Sequence, residues 1–212
     1  MISKVVRIAA RACGAEGHRR LNASLRALAD FFAASKPRRV RIASALPPVI
    51  VLTDAAFESS NASLGAVLVD PVQNVYEYFG KRINSDLVKR WQGLGKTQVI
   101  CQAKLIAIPV ALATWMEVLR DRDVILFIDN DPAREALIRG SSVSSDSSAY
   151  VHGSRLLCAE AAIAPWYARV ASPSNIADLP SRGSFSTLMA SGATFREPSN
   201  ISCEPNLVLL DF

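Results

Sequence analysis

Apolar positions recur along this chain at several spacings, and each spacing predicts a different element. In residues 20–34 (RLNASLRALADFFAA), Leu21, Leu25, Leu28, Ala29 and Phe32 share one helical face, which predicts an amphipathic helix. Residues 49–54 (VIVLTD) are an apolar, β-branched run of strand length, which predicts a buried strand. Leu64–Asp70 and Asn74–Phe79 alternate in polarity, and Asp70-Pro71 between them predicts a short turn. The short connections make these three strands an antiparallel meander. Residues 81–97 are polar, contain Gly93 and Gly95, and are expected to be a loop with little helix. Residues 98–119 (QVICQAKLIAIPVALATWMEVL) predict a long core helix that Pro109 kinks or restarts. A fourth strand is expected at 123–128, then a short helix opened by Asp131-Pro132 and running through Ile138. A Ser-rich loop at 140–148, a helix near 149–162 and a fifth strand at 165–170 follow. The remainder has little pattern, and the chain contains no internal repeat.

Half of the 212 residues are hydrophobic, enough for one domain of ordinary size and an appendage. The longest apolar runs are too short to span a membrane. Pro37 and Pro47-Pro48 bracket a basic connector. They divide the chain into a basic, partly helical extension at 1–47, a main domain at 48–183 and a tail at 184–212. Residues 1–46 carry a net charge of +8, and the rest of the chain is net −3. A basic arm on a mildly acidic domain suits a polyanionic partner, and equally a solvated leader. The Arg-rich, acid-poor first 20 residues share traits with organelle-targeting peptides but lack an apolar region for secretion. Cys13, Cys101, Cys158 and Cys203 form no CxxC or Cys/His pairing, so free thiols and an intracellular, cytoplasmic or nuclear setting are expected rather than a zinc site.

Three segments end in aspartate: VIVLTD at Asp54, VILFID at Asp129 and SNIAD at Asp178. In open α/β sheets ligands bind beyond the carboxyl ends of the strands. Neighbouring buried carboxylates repel, so a site gathering several of them calls for a divalent cation such as Mg²⁺. Each aspartate taken alone suits turn or helix-capping duty as well. His152, beyond the Ser-rich loop, is a candidate proton carrier or a solvent-facing side chain. Ser59, Ser60 and Asn61 could touch a nucleic-acid backbone through hydroxyl, amide and main-chain groups. Lys81, Arg82, Lys89, Arg90, Trp91 and Lys96 combine cations with an aromatic, a mixture suited to phosphates, or to a surface loop anchored by one Trp. Trp115 and Trp166 are expected in the core. No Gly-rich loop follows the first strand, which argues against a nucleotide-binding α/β domain.

From about residue 48 to 183 the chain resembles the ribonuclease H domain of a reverse-transcribing retroelement polyprotein. TDAAFESSNASLGAVLVD is similar to that family's first hairpin, and VICQAKLIAIPVALATW to its first helix. FIDNDPAREALIRG is similar to the fourth strand with its metal-binding aspartate, and ARVASPSNIADLPSR to the closing Asn-x-Ala-Asp-x-x-Ser-Arg motif. The resemblance implies an α/β fold whose mixed five-stranded sheet, three antiparallel strands and then parallel ones, is flanked by helices. Residues 1–47 would be the end of a polymerase or connecting region. It further implies Mg²⁺- or Mn²⁺-dependent two-metal hydrolysis of the RNA strand of an RNA–DNA hybrid, with Asp54, Asp129 and Asp178 as catalytic ligands. A hybrid would be read by shape and 2′-hydroxyls.

The sequence departs from that family at one position: the helix glutamate, two residues after Gln, is Lys104. A protonated lysine ligates no metal. A like-charge contact near ~4 Å costs on the order of 4 kcal/mol even at an effective dielectric of ~20. Metal binding is expected to be weakened, with the ammonium standing in for a cation among the aspartates. Glu58 and Asp131 do not come from the helix, and Glu117, about 20 Å further along it, is out of reach. The alternative implied is a catalytically inactive nucleic-acid-binding relic of the same fold, holding a hybrid or single strand.

Overall fold

A computed structural model describes residues 14–34, 46–93, 99–142 and 144–200. The chain divides into two units between residues 35 and 36. In the first, α1 (Gly14–Ala34) begins six residues before the apolar spacing predicts. Leu25, Leu28 and Phe32, the spaced positions of that helix, are each about half exposed or more.

In the second unit the 49–54 run seeds a longer strand than expected. The strand β1 (Val49–Glu58) pairs antiparallel with β2 (Asn61–Asp70), which pairs antiparallel with β3 (Val75–Arg82). The β1–β2 turn is two residues, Ser59 and Ser60, both at positive φ, the geometry that matches the twist of a tight hairpin. Helices α2 (Ser85–Gln92), α3 (Ile100–Thr114) and α4 (Met116–Leu119) follow. The chain then forms β4 (Asp123–Ile128), α5 (Asp131–Arg139), α6 (Ser145–Glu160) and β5 (Ala164–Arg169). A single 3₁₀ turn (Ser172–Ser174), α7 (Asp178–Ser181), α8 (Ser186–Ala190) and β6 (Thr194–Phe195) close the described chain. The sheet order is β5-β4-β1-β2-β3-β6, with β1, β4 and β5 mutually parallel. This is the expected mixed α/β sheet, three antiparallel strands and then parallel ones, with one strand added. β6 comes from the segment expected to be a patternless tail, and it pairs parallel with β3.

Local chemistry explains the other departures. The expected loop after β3 contains α2, because Asn84 accepts a hydrogen bond from the Asp86 amide (2.8 Å) and Leu87, Val88 and Trp91 bury one face. The Ser-rich stretch starts α6 early, because Ser144 caps it by accepting from the Ser147 amide (3.2 Å). The long apolar helix runs unbroken through Pro109 and ends at Trp115. Its surface is buried on nearly every side, as an all-apolar helix requires. The connector at 35–45, the stretch 94–98 with Lys96, Cys13 and Cys203 lie outside the described residues. Cys101 and Cys158 are not disulfide-bonded.

The sheet buries a cluster on each face. Val49, Val51, Leu64, Leu68, Phe79 and Leu126 pack with α3 and α6. Leu52, Val67 and Tyr78 pack on the other face with Ala177, Leu188 and Ala193 from the closing segment. Trp91 and Trp115 are fully buried, whereas Trp166 is 72% exposed on edge strand β5, so the expectations for Trp91 and Trp166 are exchanged. At one end of the meander, the Arg122 guanidinium grips both oxygens of buried Asp70 (2.8 and 3.1 Å) and donates to the Pro47 carbonyl (3.1 Å). Asp70 also accepts from the Val72 amide (2.9 Å), which shapes the β2–β3 turn. Burial alone would raise the Asp70 pKa, but Arg122 and the turn amides outweigh it and hold the carboxyl below its ordinary value. Among the described residues no helix is long and apolar enough to cross a membrane.

Candidate functional site

The parallel register of β1 and β4 ends at Thr53↔Ile128, so Asp54 and Asp129 follow at the same level of adjacent strands. Asp129 stands just past the end of β4, as expected. Asp54 lies mid-strand, because the hairpin carries β1 on to Glu58. Both carboxylates are almost wholly buried, 3% and 5% exposed.

Lys104, in the second turn of α3, points its ammonium between them. Its Nζ lies 2.6 Å from Asp54 Oδ1, 2.6 Å from Asp129 Oδ1 and 2.7 Å from Asp129 Oδ2. An ammonium has three N–H bonds to donate, so these contacts exhaust it. Ser172 Oγ donates to Asp129 Oδ2 (3.0 Å), and Ser181 Oγ lies 3.4 Å from Asp54 Oδ2. The cluster of two carboxylates and one ammonium is net −1 when fully ionised. Burial therefore pushes the Asp54 carboxyl up to about 6, with the Asp129 charge adding to the rise and Lys104 opposing it. Burial also works against the Lys104 ammonium, yet its bonds to Asp129 and Asp54 hold its pKa above the usual lysine value.

The third aspartate arrives on a turn that two glycines admit. Asp54, Gly65 and Gly80 stand in one cross-strand row. A Cβ on Gly65 would lie 2.3 Å from the Ser181 nitrogen, and one on Gly80 would lie 2.3 Å from the Pro180 carbonyl oxygen. The glycines thus let the 177–181 backbone rest directly on the sheet. Asn175 clamps the same turn by donating Nδ2 to the buried Thr53 carbonyl (3.0 Å) and accepting from the Ala177 amide (3.3 Å). Yet the Asp178 carboxylate takes the Arg182 Nε (2.8 and 3.0 Å), and Arg182 also pairs with Glu58. Asp54 and Asp129 therefore share one cluster through Lys104, while Asp178 belongs to an adjoining, more exposed one.

A two-metal site needs carboxylate oxygens facing divalent cations. Here an ammonium takes one oxygen of Asp54 and both of Asp129, and a guanidinium takes Asp178. The residues present do not fit a pair of divalent ions. Among the described residues no group of three or more His, Cys, Asp or Glu side chains is placed to hold a metal.

The other expected contacts divide. Ser59, Ser60 and Asn61 are exposed at the hairpin beyond Asp54. Arg82 is exposed, and Lys81 is half-buried and donates to Asn200 Oδ1. Trp91 is withdrawn as a substrate contact. It is 0% exposed, its ring meets Tyr150 edge-on at 6.2 Å, and its Nε1 donates to the Tyr150 hydroxyl (3.2 Å). His152 sits half-buried within α6 rather than beyond a loop. Glu58 and Asp131 are held by arginines, Asp131 by Arg169 (3.2 Å).

Sequence reasoning assigned no role to Asn175, Ser181, Arg182 or Ser172. The first three lie in the Asn-x-Ala-Asp-x-x-Ser-Arg motif, whose spacing was the available signal. Nothing in the sequence marks Ser172.

No protein-family model matches the sequence, and no curated protein is significantly similar to it. Solved structures are similar in chain trace at low identity. An RNase H1 from the halophilic archaeon Halobacterium salinarum is 19% identical, with 66% of this chain and 99% of that one covered at a TM-score of 0.49. The N-terminal RNase H domain of a Mycobacterium tuberculosis protein, solved as a fusion with maltose binding protein, is 13% identical, covering 69% and 99% at 0.47. LC11-RNase H1, isolated from compost and here in complex with an RNA/DNA hybrid, is 13% identical, covering 66% and 99% at 0.43.

Proposed function

We propose that the second unit is a ribonuclease H-like domain of retroelement descent whose hydrolytic centre is closed by its own lysine, leaving nucleic-acid binding as its function. One observation carries this reading: Lys104 Nζ stands within 2.6 Å of both Asp54 and Asp129, where the resemblance expects a glutamate and two cations. Expelling that ammonium would break two buried ion pairs, an event that costs several kcal/mol. The basic arm and the exposed Arg82, Lys89 and Arg169 supply charge for a phosphate backbone.

The reading is tested with a labelled RNA–DNA hybrid in Mg²⁺ and in Mn²⁺, comparing the native protein, Lys104→Glu and Lys104→Glu/Asp54→Asn. The expected outcome is no cleavage by the native protein, metal-dependent cleavage by Lys104→Glu, and its loss in the double variant. Fluorescence anisotropy on the same hybrid should show binding by all three that weakens with salt. Metal-dependent cleavage by the native protein would overturn the closed-site reading in favour of an active hydrolase. Absence of binding at low salt would remove the nucleic-acid partner.

A further inference from the structure

The described part of the first unit is the helix α1, and its apolar residues are spaced more strictly than packing on a core requires. Leu21, Leu25, Leu28 and Phe32 follow one another at intervals of four, three and four residues. On a helix turning about 100° per residue these four fall within a stripe about 60° wide. That is the narrow seam of a coiled coil rather than the broad face of a core-packed helix. Leu25, Leu28 and Phe32 are 49%, 50% and 66% exposed, and Leu21 is half-buried. One heptad ahead of Leu25, His18 Nδ1 lies 3.0 Å from the Gly14 carbonyl oxygen of its own helix, so the apolar seam begins at Leu21.

The flanks decide what the seam fits. The positions beside it, Asn22, Ser24, Ala29 and Phe31, carry no charge. Arg19, Arg26 and Asp30 are exposed on the opposite face and mix both signs. A helix built to lie on an anionic lipid surface has a wide apolar face and a strongly cationic back. Neutral flanks instead let an identical helix approach, because like charges do not meet at the positions that govern coiled-coil pairing. We propose that α1 is a self-association helix, its seam packing against the same seam of a second copy of this chain. Leu21, Leu25, Leu28 and Phe32 are the knobs, each seated among four residues of the facing helix. Four layers on a helix of 21 residues make a short interface, so the dimer is reversible and depends on concentration.

Sedimentation velocity of the full chain, from about one to several hundred micromolar, tests this. The expected result is a mass that rises with concentration from one chain toward two. Leu25→Ser/Leu28→Ser should raise the dimer dissociation constant about tenfold or more. Arg19→Ser/Arg26→Ser removes comparable helix propensity from the opposite face and should leave that constant within about threefold. Unchanged amide exchange in β1 shows that the second unit stays folded in both variants. A chain that is monomeric throughout would overturn the proposal, as would a dimer that survives loss of the two leucines. A monomer that co-sediments with phosphatidylserine vesicles through the same leucines would overturn it in favour of a lipid surface. No readout uses nucleic acid, so the outcome is independent of the function proposed above.

Discussion

Replacing Lys104 by Met removes the cation that Asp54 and Asp129 share while keeping most of the side-chain volume. The lysine is 13% exposed and its partners 3% and 5%, so little water is at hand to take its place. Leaving one partner of a buried pair unmatched costs about 3–5 kcal/mol. The sign of the pH dependence follows from Asp54, whose pKa rises from 3.8 to about 6 on folding. The folded state takes up that proton more readily than the unfolded one. The resulting stabilisation, about 3 kcal/mol, is fully present below the unfolded value and is lost as pH rises through the folded one. In Lys104→Met the group that opposed the rise is gone, so the loss extends to higher pH. The gap between native and variant should therefore be smaller near pH 5, where protonation relieves Asp54, and reach several kcal/mol near pH 8. Urea unfolding at both pH values measures it, and an unchanged slope shows that the unfolded state is the same. A gap of equal size at both pH values would refute the electrostatic account and leave only lost packing.

Three further perturbations probe the supports of the site. Gly65→Ala drives a Cβ against the Ser181 nitrogen and the Ala177 carbonyl (2.3 and 2.8 Å). It should destabilise by about 1–3 kcal/mol, read by thermal unfolding, and speed amide exchange at Ser181. Asn175→Ala leaves the buried Thr53 carbonyl without its donor and should cost about 1–3 kcal/mol, with amide exchange at 175–181 accelerated more than in β2. Asp70→Asn weakens the bidentate grip of Arg122. Because the native carboxyl is held below its ordinary pKa, its stabilisation is present above the unfolded value and lost as pH falls. The cost should then be largest near neutrality and shrink toward pH 3 in urea titrations.

Much of the fold was legible because its core strands are short, apolar and bounded by turn chemistry. The apolar runs at 49–53 and 64–69 needed no tertiary information. Boundaries were less legible where one local signal outweighed composition. The polar stretch after β3 reads as loop until Asn84 is seen as a cap and Trp91 as a core residue. Strand β6 has only two residues, and nothing but its pairing with Glu77 and Tyr78 defines it. In the site, the match of Asp54 with Asp129 follows from the parallel register, and the anomaly of Lys104 was visible from one motif position. The direction of the Asp178 carboxylate was not, since it depends on Arg182, four residues on, and Glu58, on another strand. Trp91 and Trp166 show the same limit, because a lone tryptophan carries no sign of which face it will occupy.

The ammonium lodged between Asp54 and Asp129 has a thermodynamic consequence for the surroundings this fold tolerates. Where an acidic cluster relies on a bound divalent ion, stability rises with the logarithm of free ion concentration. A counterion carried on a side chain is always present at the same local concentration, whatever the medium supplies. Unfolding of this protein should therefore be indifferent to chelators and to the magnesium level around it. The cation shared by Asp54 and Asp129 is written into the chain and is not drawn from the ionic pool.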